Sequence, residues 1–300
     1  MGWFNNSINF YLIRDILLIM SKSVFVPGHI TGFFTIENHE IKLKNGSCGA
    51  GFLLSQGVKT TVSESDKLII DINQGSDTVI NEVLGILEVS HDFKITQDIQ
   101  LPIGAGFGTS AASALSLTLA INEFLDLGYS ANLCGQIAHM VEVNLGGGLG
   151  DVIAQTGHGL VLRTHPGAPG IGEIKSFEHD ISIAWKTFGE IDTASIIQDP
   201  HHKQVISDVG LKYLEYFEEK PSLMNFLDFS NRFSGETNLM SDDVKSLVDY
   251  FNSSDDILGS SMAMLGNTAF AFASDESAFK DLEVEGLHID KLNNVGIVHD

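Results

Sequence analysis

The chain has 300 residues, 43 % hydrophobic and 19 % charged, which is apolar enough for one large or two modest cores and excludes a disordered chain. With 39 acidic and 17 basic residues the formal charge is −22, a field that repels nucleic acid and anionic membrane surfaces, so neither is an expected partner. The two cysteines, Cys48 and Cys134, form no CxxC pair, which argues against zinc or a disulfide framework and for reduced thiols in a cytoplasmic protein.

Residues 8–20 are apolar but interrupted by Arg14 and Asp15. The run is too short for a membrane span and lacks the basic start and small-residue cleavage site of a signal peptide. Met20 followed by "SKSVFVPGHITGFF" reads as a natural start, so residues 1–19 are expected to be an upstream extension, with a packed N-terminal helix as the alternative. "SVFVPGHITGFF" (23–34) predicts a short strand broken at Pro27-Gly28. The runs 41–65 and 67–75 are β-rich and punctuated by glycine, and are expected in an antiparallel sheet. Residues 77–90 place Val79, Val83, Ile86 and Leu87 at helical spacing, and 93–102 read as another strand. Residues 110–125 are apolar on almost every face, the mark of a central helix, with Gly128 placed to stop it. Ser130 can cap the next helix, whose Leu133, Ile137 and Val141 form a stripe and which runs into "NLGGGLGD". A strand and a Gly/Pro-rich loop follow over 159–170.

The second half opens with a strand at 181–191. Helices are expected at "TASIIQ" (193–198), 201–217, 222–237 and 241–252, the last with Ser241 as N-cap and acidic residues in its first turn. Residues 259–274 read as a glycine turn followed by a buried strand, and His201-His202 as surface loop. The two halves have similar composition, so a boundary near 170, giving units 20–170 and 171–300, is only weakly marked.

The stretch "LPIGAGFGTSAASAL" (101–115) carries the chemistry. Its glycines, 104, 106 and 108, let the backbone approach a ligand closely, and the loop opens a helix whose first turn offers unpaired N–H groups. An anion is therefore expected there. No lysine lies between residues 95 and 174, so this is not a P-loop. Thr109 stands where a dinucleotide fingerprint would need its third glycine, and Ala112 where a hydrolase elbow would need glycine. A lysine-free loop must balance phosphate charge with backbone donors and a metal ion. Ser110 and Glu142 are a reasonable pair for Mg²⁺, which is held by few carboxylates plus phosphates and water. Asp151, displayed by a glycine loop, is the candidate to orient and deprotonate an attacking hydroxyl. The plainer alternatives are a helix cap at Ser110, a surface glutamate at 142 paired with His139, and a helix N-cap at Asp151.

The loop resembles the second motif of the GHMP kinases, with Pro102, Gly106, Gly108, Thr109, Ser110, Ala111 and Ala112 matching. "AHMVEVNLGGGLGD" resembles the Glu and Asp segment of the mevalonate kinase branch, and "VFVPGHITGFF" the first motif; "SSMAMLGNTAFAF" matches the third loosely. The blocks "GSCGAG", "GVKTTV", "GLGDVIAQ", "RTHPGAPG" and "MAMLGN" make the set most similar to the archaeal-type pantoate kinase group. The resemblance implies an α+β GHMP fold, with an N-terminal domain like ribosomal protein S5 domain 2 and a C-terminal ferredoxin-like domain. It implies ATP-dependent phosphorylation of pantoate to 4-phosphopantoate on the route to coenzyme A, with ATP on Pro102, Gly104, Gly106, Gly108, Thr109 and Ser110. Carried over, Ser110 and Glu142 serve Mg²⁺ and Asp151 serves the hydroxyl. His29 stands where several of these kinases carry a lysine or arginine, and either acid–base work or a structural part in the "PGH" turn is open to it. Pantoate is a carboxylate, and bidentate guanidinium pairing suits it; Arg163 is the expected anchor, with His29 and Thr31 as weaker substrate contacts and an exposed strand-end arginine as the alternative. A homodimer is expected from family habit. The alternatives in function are another small-molecule kinase of the family, acting on homoserine, mevalonate or a sugar, and an inactive nucleotide-binding regulator.

Overall fold

The computed structural model describes residues 21–189 and 200–300. The expected N-terminal extension and the "TASIIQ" helix lie outside the described residues. A seven-stranded sheet is built around two long strands, β1 (Ser21–Phe34) and β2 (Gly49–Glu64), which pair antiparallel. β3 (Ile69–Ile72), helix α1 (Thr78–Leu87) and β4 (Phe93–Ile99) follow. Helices α2 (Thr109–Phe124), α3 (Ala131–Leu145) and α4 (Asp151–Gln155) come next, then β5 (Leu160–His165) and β6 (Glu173–Phe177). The first part of β2 pairs with β5 and its second part with β4, so one strand carries both wings of the sheet.

Several expectations are corrected here. β1 is unbroken: a register shift between Pro27 and His29 absorbs the proline, which donates no ladder hydrogen bond. β3 pairs with β4 in parallel rather than antiparallel, because α1 between them returns the chain to the same end of the sheet. Leu133 is 40 % exposed, and the buried face of α3 runs instead through Cys134, Ala138 and Val141.

α2 is the central helix that its apolar sequence implies, packed on β1 and β2. Its buried hydroxyls are all paired. Ser113 donates to Gln97 at 2.8 Å, Gln97 donates to Thr60 at 2.9 Å, and Thr60 and Ser116 share a bond of 2.6 Å. Ser130 caps α3 by accepting from the Leu133 N–H at 3.2 Å.

The second sheet has four antiparallel strands: β7 (Ser182–Thr187), β8 (Ile257–Met262), β9 (Thr268–Ala273) and β10 (His288–Lys291), in the order β10-β7-β9-β8. That order, with helices crossing after β7, is ferredoxin-like. The helices are α5 (Pro200–Glu219), α6 (Leu223–Thr237) and α7 (Asp242–Asn252). His201-His202 lie in the first turn of the helix expected at 201–217 and not in a loop before it, since Pro200 suits a first helical position. Residues 257–273 are a hairpin of two strands, not a turn and one strand.

The two sheets share one core. Phe52 of β2 meets Phe270 and Phe272 of β9 at ring-centroid distances of 5.0 and 4.7 Å. β6 and the C-terminal β11 (Val298–His299), both beyond residue 170, belong to the first sheet. Cys48 and Cys134 are free and buried. No helix among the described residues is long and apolar enough to cross a membrane.

Candidate active site

The glycine loop between β4 and α2 lies at the mouth of a cleft, and its conformation explains its composition. Gly104, Gly106 and Gly108 have φ of 73, 88 and 59°, in the left-handed region that glycine enters without cost. Gly108 is the N-cap of α2 and no side chain caps it, so Ser110 is not the helix cap. The first-turn N–H groups of a helix have no partners inside it, and Gly108, Thr109 and Ser110 line the cleft at this positive end. Thr109 does not reach outward: its hydroxyl donates to the Pro102 carbonyl at 3.1 Å and staples the loop shut. Pro102 itself is outside the cleft lining.

The β8–β9 hairpin packs against the loop. Thr268, the first residue of β9, donates to the Ala105 carbonyl at 2.8 Å, and the Met264 N–H ties the turn to β1 by donating to the Thr31 carbonyl at 3.0 Å. A Cβ on Gly266 would lie 2.1 Å from the Ala105 oxygen, so only glycine fits there. Gln155 of α4 donates to the Gly108 carbonyl at 2.9 Å. Neither Gly266 nor Gln155 was among the expected site residues, although both sit in blocks that carry the family resemblance.

Ser110 and Glu142 meet. The Ser110 hydroxyl donates to Glu142 Oε1 at 2.5 Å, and Glu142 is 2 % exposed, not the surface residue of the plainer alternative. Burial pushes its carboxyl up to about 7; the Ser110 hydrogen bond opposes this and the Asp151 charge adds to it. A Cβ on Gly147 would fall 2.4 Å from Glu142 Oε2, so the glycine run "GGG" is what lets the chain fold tightly over this carboxyl.

Asp151 opens α4 and lines the same cleft, its side chain 22 % exposed. His29 Nδ1 lies 2.7 Å from Asp151 Oδ1. His29 is fully buried in β1, outside the cleft lining, so it sits in a strand and not in a "PGH" turn. Burial holds its imidazole below the ordinary histidine value; the hydrogen bond and charge of Asp151 oppose this, and the Arg163 charge reinforces it. Arg163, on β5, is likewise fully buried, which removes the exposed strand-end alternative. Its Nε donates to the Ser47 carbonyl at 3.2 Å and its Nη1 lies 3.3 Å from His29 Nε2. Its Nη2 is buried with no partner among the described residues, and Arg163 is one of the residues lining the cleft. A buried guanidinium N–H without a partner beside a cleft is a candidate anion donor. Thr31 also lines the cleft, half-buried.

The start of a helix, a serine–carboxyl pair, a carboxylate and a guanidinium with an unpartnered N–H thus line one cleft from α2, α3, α4 and β5. Residues 78–159 match the family described as "GHMP kinases N terminal domain". A protein named pantoate kinase from Methanocaldococcus jannaschii is 34 % identical over 260 residues, covering 85 % of this chain and 93 % of the relative. The chain belongs to the GHMP kinase family. A pantoate kinase from Thermococcus kodakarensis is 33 % identical over 272 residues, covering 85 % of this chain and 89 % of that one. Among solved structures, one titled "Phosphotransferase related to CoA biosynthesis pathway" superposes with a TM-score of 0.82 at 28 % identity, over 94 % of this chain and 99 % of that one. A homoserine kinase from Cytophaga hutchinsonii, at 16 % identity and a TM-score of 0.64, shares the fold over 93 % of this chain and 97 % of its own. As a GHMP kinase the protein is an ATP-dependent enzyme.

Proposed function

We propose that the protein transfers the γ-phosphoryl group of ATP to the 4-hydroxyl of pantoate, giving 4-phosphopantoate and ADP for coenzyme A synthesis. One observation carries the acceptor side. The unpartnered N–H of Arg163 and the carboxylate of Asp151 line one cleft, beside a glycine loop that can cradle phosphates. A small hydroxy-carboxylate has the two groups these residues can hold: a carboxylate for Arg163 and a hydroxyl for Asp151. The relatives named pantoate kinase point to which such acid it is.

ATP phosphates are met by the N–H groups of Thr109, Ser110 and Ala111 and by the open backbone around Gly104, Gly106 and Gly108. Ser110 and Glu142 fit Mg²⁺: two oxygens already converge at 2.5 Å, one from a carboxyl whose burial holds a proton that a cation would displace. Bound there with ATP, Mg²⁺ would neutralise charge on the phosphates during transfer. Arg163 orients the acceptor through its carboxylate. Asp151 accepts the hydroxyl proton as the oxygen bonds to phosphorus and the β–γ bridging bond breaks, and later releases that proton to water.

The test is a coupled ADP-release assay with ATP and Mg²⁺ and a panel of acceptors: pantoate, homoserine, mevalonate and sugars. Turnover with pantoate at least tenfold above every other acceptor in kcat/KM is expected. A different preferred acceptor, or ATP binding without turnover of any, would refute the assignment.

A further inference from the structure

We infer that His29 is a positioning residue which ties Asp151 to Arg163, so that the proton-accepting group and the carboxylate anchor are set as one unit. The inference rests on the proposed function for the roles of those two partners.

The direction of each hydrogen bond is forced. A guanidinium has donors only, so Arg163 Nη1, 3.3 Å from His29 Nε2, must donate and Nε2 must accept. A neutral imidazole has one donor and one acceptor, so its hydrogen is on Nδ1 and is donated to Asp151 Oδ1 across 2.7 Å. The imidazolium form would point an N–H at the guanidinium, two donors and two positive charges together. Both ring nitrogens are thereby engaged, and no proton changes hands at His29. The ring is fully buried and absent from the cleft wall, so it meets no substrate. Neighbouring backbone holds it in place: a Cβ on Gly51 would lie 2.2 Å from its Nε2. Arg163 is fixed from its other side by the Ser47 carbonyl at 3.2 Å, which leaves Nη2 as the free end. A shift of the ring would therefore move both ends of the acceptor site together.

Two conservative variants separate the two bonds. In His29→Asn the amide nitrogen takes the place of Nδ1, keeping the donor to Asp151 and losing the acceptor for Arg163. In His29→Gln the amide oxygen reaches the place of Nε2, keeping the acceptor and losing the donor. His29→Asn is expected to raise KM for pantoate about tenfold with kcat within about threefold of wild type. His29→Gln is expected to lower kcat about tenfold or more, with KM for pantoate within about threefold. KM for ATP should hold in both. Equal losses of kcat and KM in the two variants, or no change in either, would overturn the inference. The tautomer is read separately on wild-type protein by ¹⁵N NMR of the imidazoles, which requires neither a folded variant nor a known acceptor. A His29 ring protonated on Nδ1 alone is expected, and one carrying hydrogen on Nε2 overturns the inference. Failure of the wild type to phosphorylate pantoate would remove the acceptor assignment and leave this tautomer result standing.

Discussion

Replacing Glu142 by glutamine should flatten the pH dependence of stability of the metal-free, nucleotide-free protein. The folded carboxyl sits at about 7, against 4.5 for an unperturbed one. Between those values the unfolded chain has released the proton and the folded chain still holds it. The folded state then binds more protons, so stability falls as pH rises through this window. The contribution is present in full below pH 4.5 and is gone above about pH 7. Each pH step of one between the two values is worth about 1.4 kcal/mol, so the whole span is about 3 kcal/mol. Glutamine has nearly the same shape and its carbonyl can still accept from Ser110, but it does not titrate. His29 and His139, whose pKa values burial lowers, act in the opposite direction: below their ordinary value of 6.5 the unfolded chain binds more protons, so stability rises with pH. The difference between variant and wild type cancels those contributions and isolates Glu142. The measurement is urea unfolding of both proteins in chelator at pH 5 and pH 7.5. The free-energy gap should change by about 2–3 kcal/mol in favour of the variant on going to pH 7.5. Parallel profiles, within about 0.5 kcal/mol, would show that burial does not hold Glu142 protonated, and would refute its place as a group whose proton a cation displaces.

Three further outcomes are expected. Asp151→Asn should lower kcat by about 10²–10⁴-fold with little change in ATP affinity, measured by steady-state kinetics and calorimetric titration. Arg163→Ala should raise KM for pantoate by about 10²-fold. It should also destabilise the protein by about 1–3 kcal/mol in urea unfolding, because the Ser47 carbonyl and His29 Nε2 lose their buried donor. Gly266→Ala must displace the Ala105 carbonyl, which a new Cβ would approach to 2.1 Å, and should weaken ATP binding about tenfold or more without touching any ligand directly.

The central helix, its capped neighbour and the glycine loop were legible in the sequence, because each depends on local signals. Positions 111–121 are apolar on almost every face, Ser130 precedes a helical run, and glycines recur where φ is positive. The family motif further marked Ser110, Glu142 and Asp151. What no local pattern could give were choices made between distant segments. Whether β3 pairs parallel or antiparallel depends on the path of α1 and not on the strand's own residues. His29 lies 122 positions from Asp151 and 134 from Arg163, and a buried histidine in a strand reads the same whether it packs or positions. The sequence by itself determined the conformation of the glycine loop and its place at a helix start, since backbone conformation and helix polarity follow from nearby residues. Only the tertiary structure decided what surrounds the loop: packing β1, α4 and β5 together buried a histidine and an arginine that are satisfied by each other, by Asp151 and by the Ser47 carbonyl, and left one buried arginine N–H without a partner among the described residues.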